Sequence, residues 1–428
     1  MSNHRVIYSH AKTGIYPPQG YQFAINSTVT SKMDVETLQH FDVRDVIKLN
    51  VKSLEFFGYF CPDFTTTFKK VIYYTYALLF VGSMFVLFMV SEIINMVVVF
   101  GDIEKMTEAS FLLLTHLVQA LKLYVFVVHN SRVRRLINSL NREEFKPKNQ
   151  QQYNLLMEDV QMSRILTKIF LIMCVATCVL WGVFPLLDKD GGEETTELPL
   201  SGWFPFDTQK SPIFECVYVY LTMGAMINGL ANVSMDTFLS GIIMVISGQL
   251  KLLNNSFQNL KQKCTDTSLN HIEEGLIKNI VHHKNIIQFS ENMTELFTTC
   301  IMGQFVVSVI IICITMFQMS LVSVISLQFL SMALYQGCMV LEIFLWCYYG
   351  NEVIIQSEKL TQSAYSCEWV GCSRNFGTNL LFFMARSQIS LKLYAGGYFA
   401  LSLETFMAIV KSSWSYFAVL NRVHSDQE

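Results

Sequence analysis

The feature that most limits how this chain can fold is a stretch of 46 residues without a charged side chain, from Leu296 to Leu341. An α-helix rises about 1.5 Å per residue, so this stretch would be about 69 Å long, more than twice the ~30 Å hydrocarbon core of a bilayer. It therefore predicts two membrane-spanning helices joined by a tight turn, which we place near Gln318–Ser320.

Five further apolar segments resemble membrane spans. They are Val71–Val90 continuing past Glu92 to Phe100, Phe111–Val128, Ile169–Leu187, Val217–Met235 resuming after Asp236 to Leu250, and a weaker segment, Tyr398–Asn421, that holds Glu404 and Lys411. The chain is 15% charged, against about 25% in soluble domains. The first twenty residues contain no apolar core of a signal peptide, so we expect an internal span to lead insertion. We predict an all-α membrane protein with seven transmembrane helices.

Basic residues predict the orientation of these spans, because lysine and arginine are enriched in cytoplasmic loops. They are concentrated near Lys69 and Lys70 and in the 129–168 and 251–287 loops. This distribution predicts a cytoplasmic N-terminus and, with seven spans, an extracellular C-terminus, the reverse of a G-protein-coupled receptor. A glycan on the Asn26 sequon would contradict that orientation.

The segment Cys347–Trp369 turns polar without a proline or a glycine-rich break. Its polar residues alternate with Val353, Ile354 and Leu360, which predicts that the sixth span continues as a helix beyond the membrane. Asn375–Ser390 has the pattern of a second amphipathic helix. We therefore expect a cytoplasmic helical platform.

The last span has two different faces when its residues are placed at 100° intervals. One face is small or polar and the other bulky and apolar: Glu404, Ala408, Lys411, Ser415, Ala418, Val419 and Arg422 on the first, and Phe406, Ile409, Val410, Phe417 and Leu420 on the second. Charged groups at membrane depth cost about 2.5–3.5 kcal/mol each and normally face water or a bundle interior. A water-filled path shared by several subunits explains the whole polar face, whereas snorkelling to the interface explains only Glu404 and Lys411.

Two stretches, "WCYYGNEVIIQSEKL" and "LSLETFMAIVKSSWSYFAVL", resemble the C-terminal signature of insect odorant receptors, and the chain looks similar to those of moths or butterflies. The resemblance implies a ligand-gated, non-selective cation channel in which an odorant-tuning subunit assembles with a co-receptor as a heterotetramer. It implies that the last span lines the pore, with Ser415, Ala418, a gate at Val419 and an outer mouth at Arg422. It also implies that the cytoplasmic helices, with Glu352 and Lys359, anchor the subunits together.

The resemblance further implies an odorant site in the outer halves of the second, third, fourth and sixth spans. The candidate residues there share helical spacing and an apolar or weakly polar character: His116, Gln119, Cys174, Thr177, Trp181, Tyr220, Met223, Ile227, Phe329 and Met332. An apolar cavity with a few polar groups suits a small, volatile, lipophilic ligand. Stripes of this kind also occur in ordinary helix packing.

These expectations divide the chain into five parts. They are 1–70, a cytoplasmic N-terminal region; 71–350, six spans with an outer-half pocket; 351–397, cytoplasmic anchor helices; 398–422, the pore-lining span; and 423–428, an extracellular tail. We expect multi-pass insertion in the plasma membrane of olfactory sensory neurons. The alternatives are a metabotropic seven-helix receptor and a membrane transporter or enzyme, but no HExxH or GxSxG arrangement occurs. We expect no catalysis, cofactor or metal, and neither nucleic acid nor a G protein as a partner.

Overall fold

The computed structural model describes residues 41–64, 66–187, 198–260 and 268–425, which leaves the Asn26 sequon outside the described residues. Within these ranges the regular secondary structure is helical apart from one small hairpin. The elements are α1 (Lys48–Phe56), α2 (Thr67–Val98, with a π-helical turn at Gly82–Val86), α3 (Ile103–Val128), α4 (Asn130–Ser139), α5 (Gln150–Leu187), α6 (Ile213–Gln258), α7 (Ser268–Leu321), α8 (Leu327–Tyr365), α9 (Arg374–Ser387), β1 (Tyr394–Ala395), β2 (Phe399–Ala400) and α10 (Leu403–Ser425). Short 3₁₀ turns lie at Val43–Val46 and Glu143–Phe145.

The predicted all-α class is confirmed, and a helix lies at each of the seven predicted spans. Six described helices, α2, α3, α5, α6, α7 and α8, are long and apolar enough to cross a membrane. The helix at the seventh position, α10, has only 23 residues and carries three charged side chains. The last helix is thus the least apolar of the seven, as its sequence indicates.

Most of these helices extend well beyond the apolar segments that predict them. Helix α6 runs unbroken through Asp236, because Lys122 of α3 meets that carboxylate and compensates its charge inside the bundle. Helix α7 starts at Ser268, far before Leu296, so much of the expected 251–287 loop is helical. The expected 129–168 loop likewise contains α4 and the first turns of α5.

The predicted turn near Gln318–Ser320 is wrong by a few residues, since α7 continues to Leu321 and the connection to α8 is 322–326. The side chains of Gln318 and Ser320 both have hydrogen-bond partners within the helix bundle. Gln318 donates to the Thr107 hydroxyl, and the Ser320 hydroxyl donates to the carbonyl of Phe317 at 2.6 Å. Polar residues with partners do not break a helix.

The predicted start of the last span at Tyr398 is also wrong, because residues 394–400 form the hairpin of β1 and β2. Gly396 and Gly397 supply the positive φ angles of its turn, 60° and 77°. Helix α10 then begins at Leu403, and the Ser402 hydroxyl accepts from the Thr405 amide at 3.3 Å.

The continuation of the sixth span is confirmed, because α8 is a single helix of 39 residues that ends at Tyr365. The second amphipathic helix is confirmed with shorter bounds, α9, capped by Ser373. Gly350 of α8 lies so close to Leu401 after the hairpin that any Cβ there would collide with it. The hairpin thereby connects the helical platform to the start of α10.

The core of the molecule surrounds α6. It is the most enclosed of the candidate spans. In its most apolar segment of 18 residues 83% of the residues are buried, whereas in the corresponding segment of α2 22% are buried. Phe238, Ile242 and Leu250 of α6 are fully covered, and Ile47 and Leu54 of the N-terminal segment pack into the same core. Helix α6 therefore holds the bundle together, while α2 exposes its apolar side chains as a membrane-facing helix does.

Candidate ligand cavity

A small cavity lies among α3, α5, α6 and α8, the four helices that the sequence associates with a ligand site. We call it the inner cavity; its volume is about 70 Å³. Its lining includes Leu112, Thr115, His116, Gln119, Phe170, Cys174, Thr177, Cys178, Trp181, Ala225, Gly229, Asn232, Val233, Tyr335, Cys338, Met339 and Glu342. Most of these groups are apolar or weakly polar, so the cavity is suited to a small lipophilic molecule.

An aromatic cluster closes the inner cavity on the side of the 198–212 connection. The rings of Trp181 and Tyr335 lie 5.6 Å apart, and Phe111 lies 5.2 Å from Tyr335. The Tyr335 and Thr115 hydroxyls are 2.5 Å apart, and Thr115 donates to the carbonyl of Phe111 at 2.9 Å. These contacts hold Tyr335 in place and give Trp181 a fixed aromatic neighbour.

Beyond this cluster lies a second space of about 110 Å³, which we call the outer cavity. Its walls come from Glu92 of α2, the start of α3, the end of α5, the 198–201 segment and the start of α8. Leu112 and Trp181 belong to the lining of both cavities, so these two side chains form the partition between them. Each space alone is smaller than the roughly 300 Å³ of a typical ligand pocket.

Two polar residues of the inner cavity make defined hydrogen bonds at depth. His116 Nδ1 lies 2.7 Å from Glu92 Oε2, with both side chains almost fully buried. Gln119 donates through Nε2 to the carbonyl of Asn228 at 3.0 Å, while its Oε1 is buried without a protein partner. A buried acceptor without a donor is costly, so Gln119 Oε1 is a ready point of contact for a ligand hydroxyl.

Next to the inner cavity is an ionic cluster that was not predicted from the sequence. Lys122 Nζ donates to Glu342 Oε1 at 2.8 Å, to Asn232 Oδ1 at 3.3 Å, and to Asp236. Gln304 of α7 donates to the second Glu342 oxygen at 3.2 Å. The cluster joins α3, α6, α7 and α8 and forms the floor of the cavity through Glu342. Its sequence signal is the presence of single charged residues within apolar spans, which at membrane depth are expected to pair.

The ten predicted ligand residues are distributed over several environments. His116, Gln119, Cys174, Thr177 and Trp181 line the inner cavity, and Met332 lines the outer cavity with Trp181. The other four lie outside both linings: Tyr220 in an open groove beside α2, Met223 with half of its surface exposed, Ile227 against the main core, and Phe329 half-buried in the first turn of α8. The structure therefore brings six of the ten to two adjoining cavities.

Helix α10 leaves one of its faces uncovered by the rest of the chain. Every residue of the small or polar face is exposed: Glu404, Ala408, Lys411, Ser415, Ala418, Val419 and Arg422. On the opposite face Ile409 is buried, and Phe406, Val410, Phe417 and Leu420 are half-buried against α7 and α8. This division agrees with the helical wheel and leaves the predicted pore residues on the outside of the single subunit.

The two predicted anchor residues lie on the part of α8 that continues past its most apolar segment. Glu352 is half-buried and accepts from Gln356 at 3.5 Å, while Lys359 is exposed. Cys367, just past the end of α8, is buried, and burial raises the pKa of its thiol to about 11. That thiol is protonated at neutral pH and is a poor metal ligand.

Comparison with known proteins places this architecture among receptors. The family model described as 7tm Odorant receptor matches residues 102–414. Odorant receptor Or1 of Anopheles gambiae is 25% identical over 416 residues, which cover 90% of this chain and 97% of that protein. Odorant receptor 46a, isoform A, of Drosophila melanogaster is 26% identical over 326 residues, covering 75% of this chain and 84% of that protein.

The fold also matches a solved structure. The insect olfactory receptor OR5 from Machilis hrabei in complex with eugenol superposes with a TM-score of 0.77 at 19% identity, covering 89% of this chain and 98% of that one. A second structure of the same receptor, whose description names no ligand, superposes on this chain with a TM-score of 0.76. At this level of identity the likeness concerns the fold.

Proposed function

Because this chain belongs to the 7tm odorant receptor family of insects, we propose that it is the odorant-tuning subunit of a ligand-gated, non-selective cation channel. The observation that carries the proposal is the division of α10, whose polar face is exposed over its whole length while its apolar face packs on α7 and α8. A helix with one such face cannot enclose a water path by itself. Several copies around an axis would cover the exposed face and surround a pore.

We place the odorant in the inner cavity. A volatile molecule there would contact the Trp181 and Tyr335 rings on one side and the Glu342 floor on the other. The complex of the Machilis receptor with eugenol supports a small volatile molecule as the ligand class. Since the cavity holds only about 70 Å³, such a ligand must displace part of its wall, and the shared partition at Leu112 and Trp181 is the nearest wall with space behind it.

The partner in the channel is a co-receptor subunit of the same architecture, in a heterotetramer in the plasma membrane of olfactory sensory neurons. With the N-terminus cytoplasmic, α9 and the end of α8 lie inside the cell as the anchor between subunits. Both helices pack together through Thr361 and Ser387, whose hydroxyls are 2.8 Å apart, so they present one continuous surface to a neighbour. Such a receptor acts by opening a pore and needs no catalytic group.

The function is tested by recording currents from cells that express this chain with a co-receptor, against a panel of volatiles. In that assay Trp181→Ala should merge the inner and outer cavities. We expect potency for the native ligand to fall about tenfold, equivalent to about 1.4 kcal/mol, and potency for longer homologues to rise. Trp203→Ala is the matched control, since Trp203 lies in the groove beside α2 and lines neither cavity.

Two results would contradict the placement of the odorant beside Trp181 or the channel proposal. If Trp181→Ala reduced the response to a co-receptor agonist as much as the response to odorant, Trp181 would be a packing residue. If no volatile evoked a current in the wild-type pair with both subunits at the cell surface, the channel proposal itself would fail.

The proposed anchor between subunits can be tested separately through Glu352 and Lys359. Glu352→Lys combined with Lys359→Glu leaves the net charge of the chain unchanged but inverts two charges on the proposed interface. We expect less co-receptor to co-purify with this double variant, by a factor of about three to ten, because unlike charges across an interface become like charges. Ligand ranking in the remaining channels should not change. Normal co-purification would remove both residues from the interface.

A further inference from the structure

A third cavity lies far from the ligand site, where α4 meets α7. Its volume is about 380 Å³, and we call it the arginine cavity because three guanidinium groups line it. The lining consists of Arg132, Arg135, Leu136, Ser139, Arg142, Asn292, Glu295 and Leu296. Neither the odorant site nor the proposed pore uses any of these residues.

The arginine cavity carries a net positive charge. Arg132 Nη1 lies 3.2 Å from Glu295 Oε1, but both side chains are about half exposed or more, and such surface pairs contribute little to stability. Arg135 Nε donates to the carbonyl of Ser131 at 3.4 Å, and Arg142 Nη1 donates to Asn285 Oδ1 at 3.1 Å. Both of these acceptors are neutral. Three cationic groups therefore face a single lining carboxylate.

The position of the cavity relative to the apolar spans indicates what it meets. Helix α4 begins two residues after α3 ends at Val128, and Leu296 is the first residue of the long stretch without charged side chains. Both walls of the cavity thus lie where a membrane span passes into polar sequence. This is the level of lipid headgroups.

The chemistry of the lining selects among anions. A guanidinium presents parallel N–H donors that match two oxygens of one phosphate group, and it keeps its charge at every physiological pH. Three such groups carry more positive charge than the single negative charge of one phosphodiester can balance. They therefore suit a headgroup that bears additional phosphomonoesters. Clusters of basic residues next to a membrane span bind such lipids.

We propose that the arginine cavity binds the phosphomonoester groups of a polyphosphorylated inositol lipid. The lipid's acyl chains would lie along the membrane-facing side of α3 and α7 while its headgroup occupies the cavity. Bound there, the lipid would connect α4 to α7. This site is independent of the odorant site and of the channel proposal.

The test uses the full chain purified into phosphatidylcholine nanodiscs, titrated with dioctanoyl phosphatidylinositol bisphosphate and followed by thermophoresis. The test variant is Arg132→Gln combined with Arg135→Gln. The control is Arg164→Gln combined with Lys168→Gln, because these two residues are exposed, lie in the same basic region, and remove the same charge without lining the cavity. We expect binding to weaken about tenfold or more in the test variant and by less than about twofold in the control.

Each other outcome contradicts the proposal in a defined way. Equal weakening in both variants would mean that the lipid binds to diffuse surface charge, and no weakening in either would exclude the cavity. If soluble inositol trisphosphate bound as tightly as the lipid with the same arginine dependence, the source would be a free phosphate ligand. If the test variant lost co-receptor but kept lipid binding, the cavity would be a protein interface. Monodisperse elution of both variants shows that the comparison is between folded receptors.

Discussion

Replacement of Lys122 by methionine should cost this protein about 3–5 kcal/mol of stability, the cost of removing one member of a buried ion pair. The Lys122 side chain is about 5% exposed, and Asp236 and Glu342 are about 1% exposed, so water cannot take over the lost contacts. Without the ammonium group, two carboxylates would remain together among α3, α6 and α8. The Trp346 ring, whose centroid is 5.4 Å from Lys122 Nζ, would lose its cation contact as well.

The measurement is the temperature at which receptor purified in detergent loses its monodisperse peak, together with the fraction that reaches the cell surface. Lys122→Arg preserves the charge and should lose less stability. The informative control is the triple variant Lys122→Met/Asp236→Asn/Glu342→Gln, which removes all three charges. Because a buried ionic cluster often contributes little net stability as a unit, the triple variant should recover most of what the single variant loses. If the single and triple variants were equally unstable, packing of the lysine stem rather than charge balance would be the cause.

The second large effect is expected at Arg422, on the exposed face of the last turns of α10. Four copies would place four permanently charged guanidiniums around the mouth of the proposed pore, and rings of arginine are typical of anion pathways. At an effective dielectric constant of about 20, two such charges 8 Å apart repel by roughly 2 kcal/mol. A passing cation would be repelled by all four. We therefore expect the chain expressed alone to give little or no cation current, and one copy among co-receptor subunits to be tolerated.

In this experiment Arg422→Gln should allow a measurable cation current from the chain alone and raise cation conductance in the mixed channel. Arg422→Lys keeps the charge at the same position and should behave like the wild type. Robust odorant-evoked cation current from the wild-type chain alone would contradict the need for a co-receptor. Unchanged conductance and selectivity for Arg422→Gln in the mixed channel would show that this side chain lies away from the ion path.

The spans and the polar face of the last helix were predictable because both are local properties of the chain. A run of apolar residues must be helical in a bilayer, since no water is present to satisfy its backbone groups. Positions 404, 411, 415 and 422 share one face of a helix whatever surrounds it. The stretch from Asn351 to Ser366 contains no proline or glycine, and the structure accordingly continues α8 to Tyr365.

Boundaries that depend on distant partners were not predictable. Whether Asp236 ends a helix or lies within one depends on Lys122, which is 114 residues away along the chain. In the sequence, Gln318 is typical of a turn. In the structure it lies within α7, because its side chain donates a hydrogen bond to Thr107 of a different helix. Tyr398 continues an apolar pattern, yet the two glycines before it and the close approach of Leu401 to Gly350 place it in a hairpin.

The sequence alone therefore determined the all-α class, the approximate positions of seven helices, the two faces of the last one, and a resemblance to one receptor family. Only the tertiary structure decided which side chains meet. It brought His116, Gln119, Cys174, Thr177 and Trp181 to one cavity and left Met223 exposed, and it gathered Lys122, Asp236 and Glu342 into one cluster. The physical reason is that helical periodicity fixes directions within a helix, whereas the crossing and rotation of packed helices depend on complementary side chains from all of them at once.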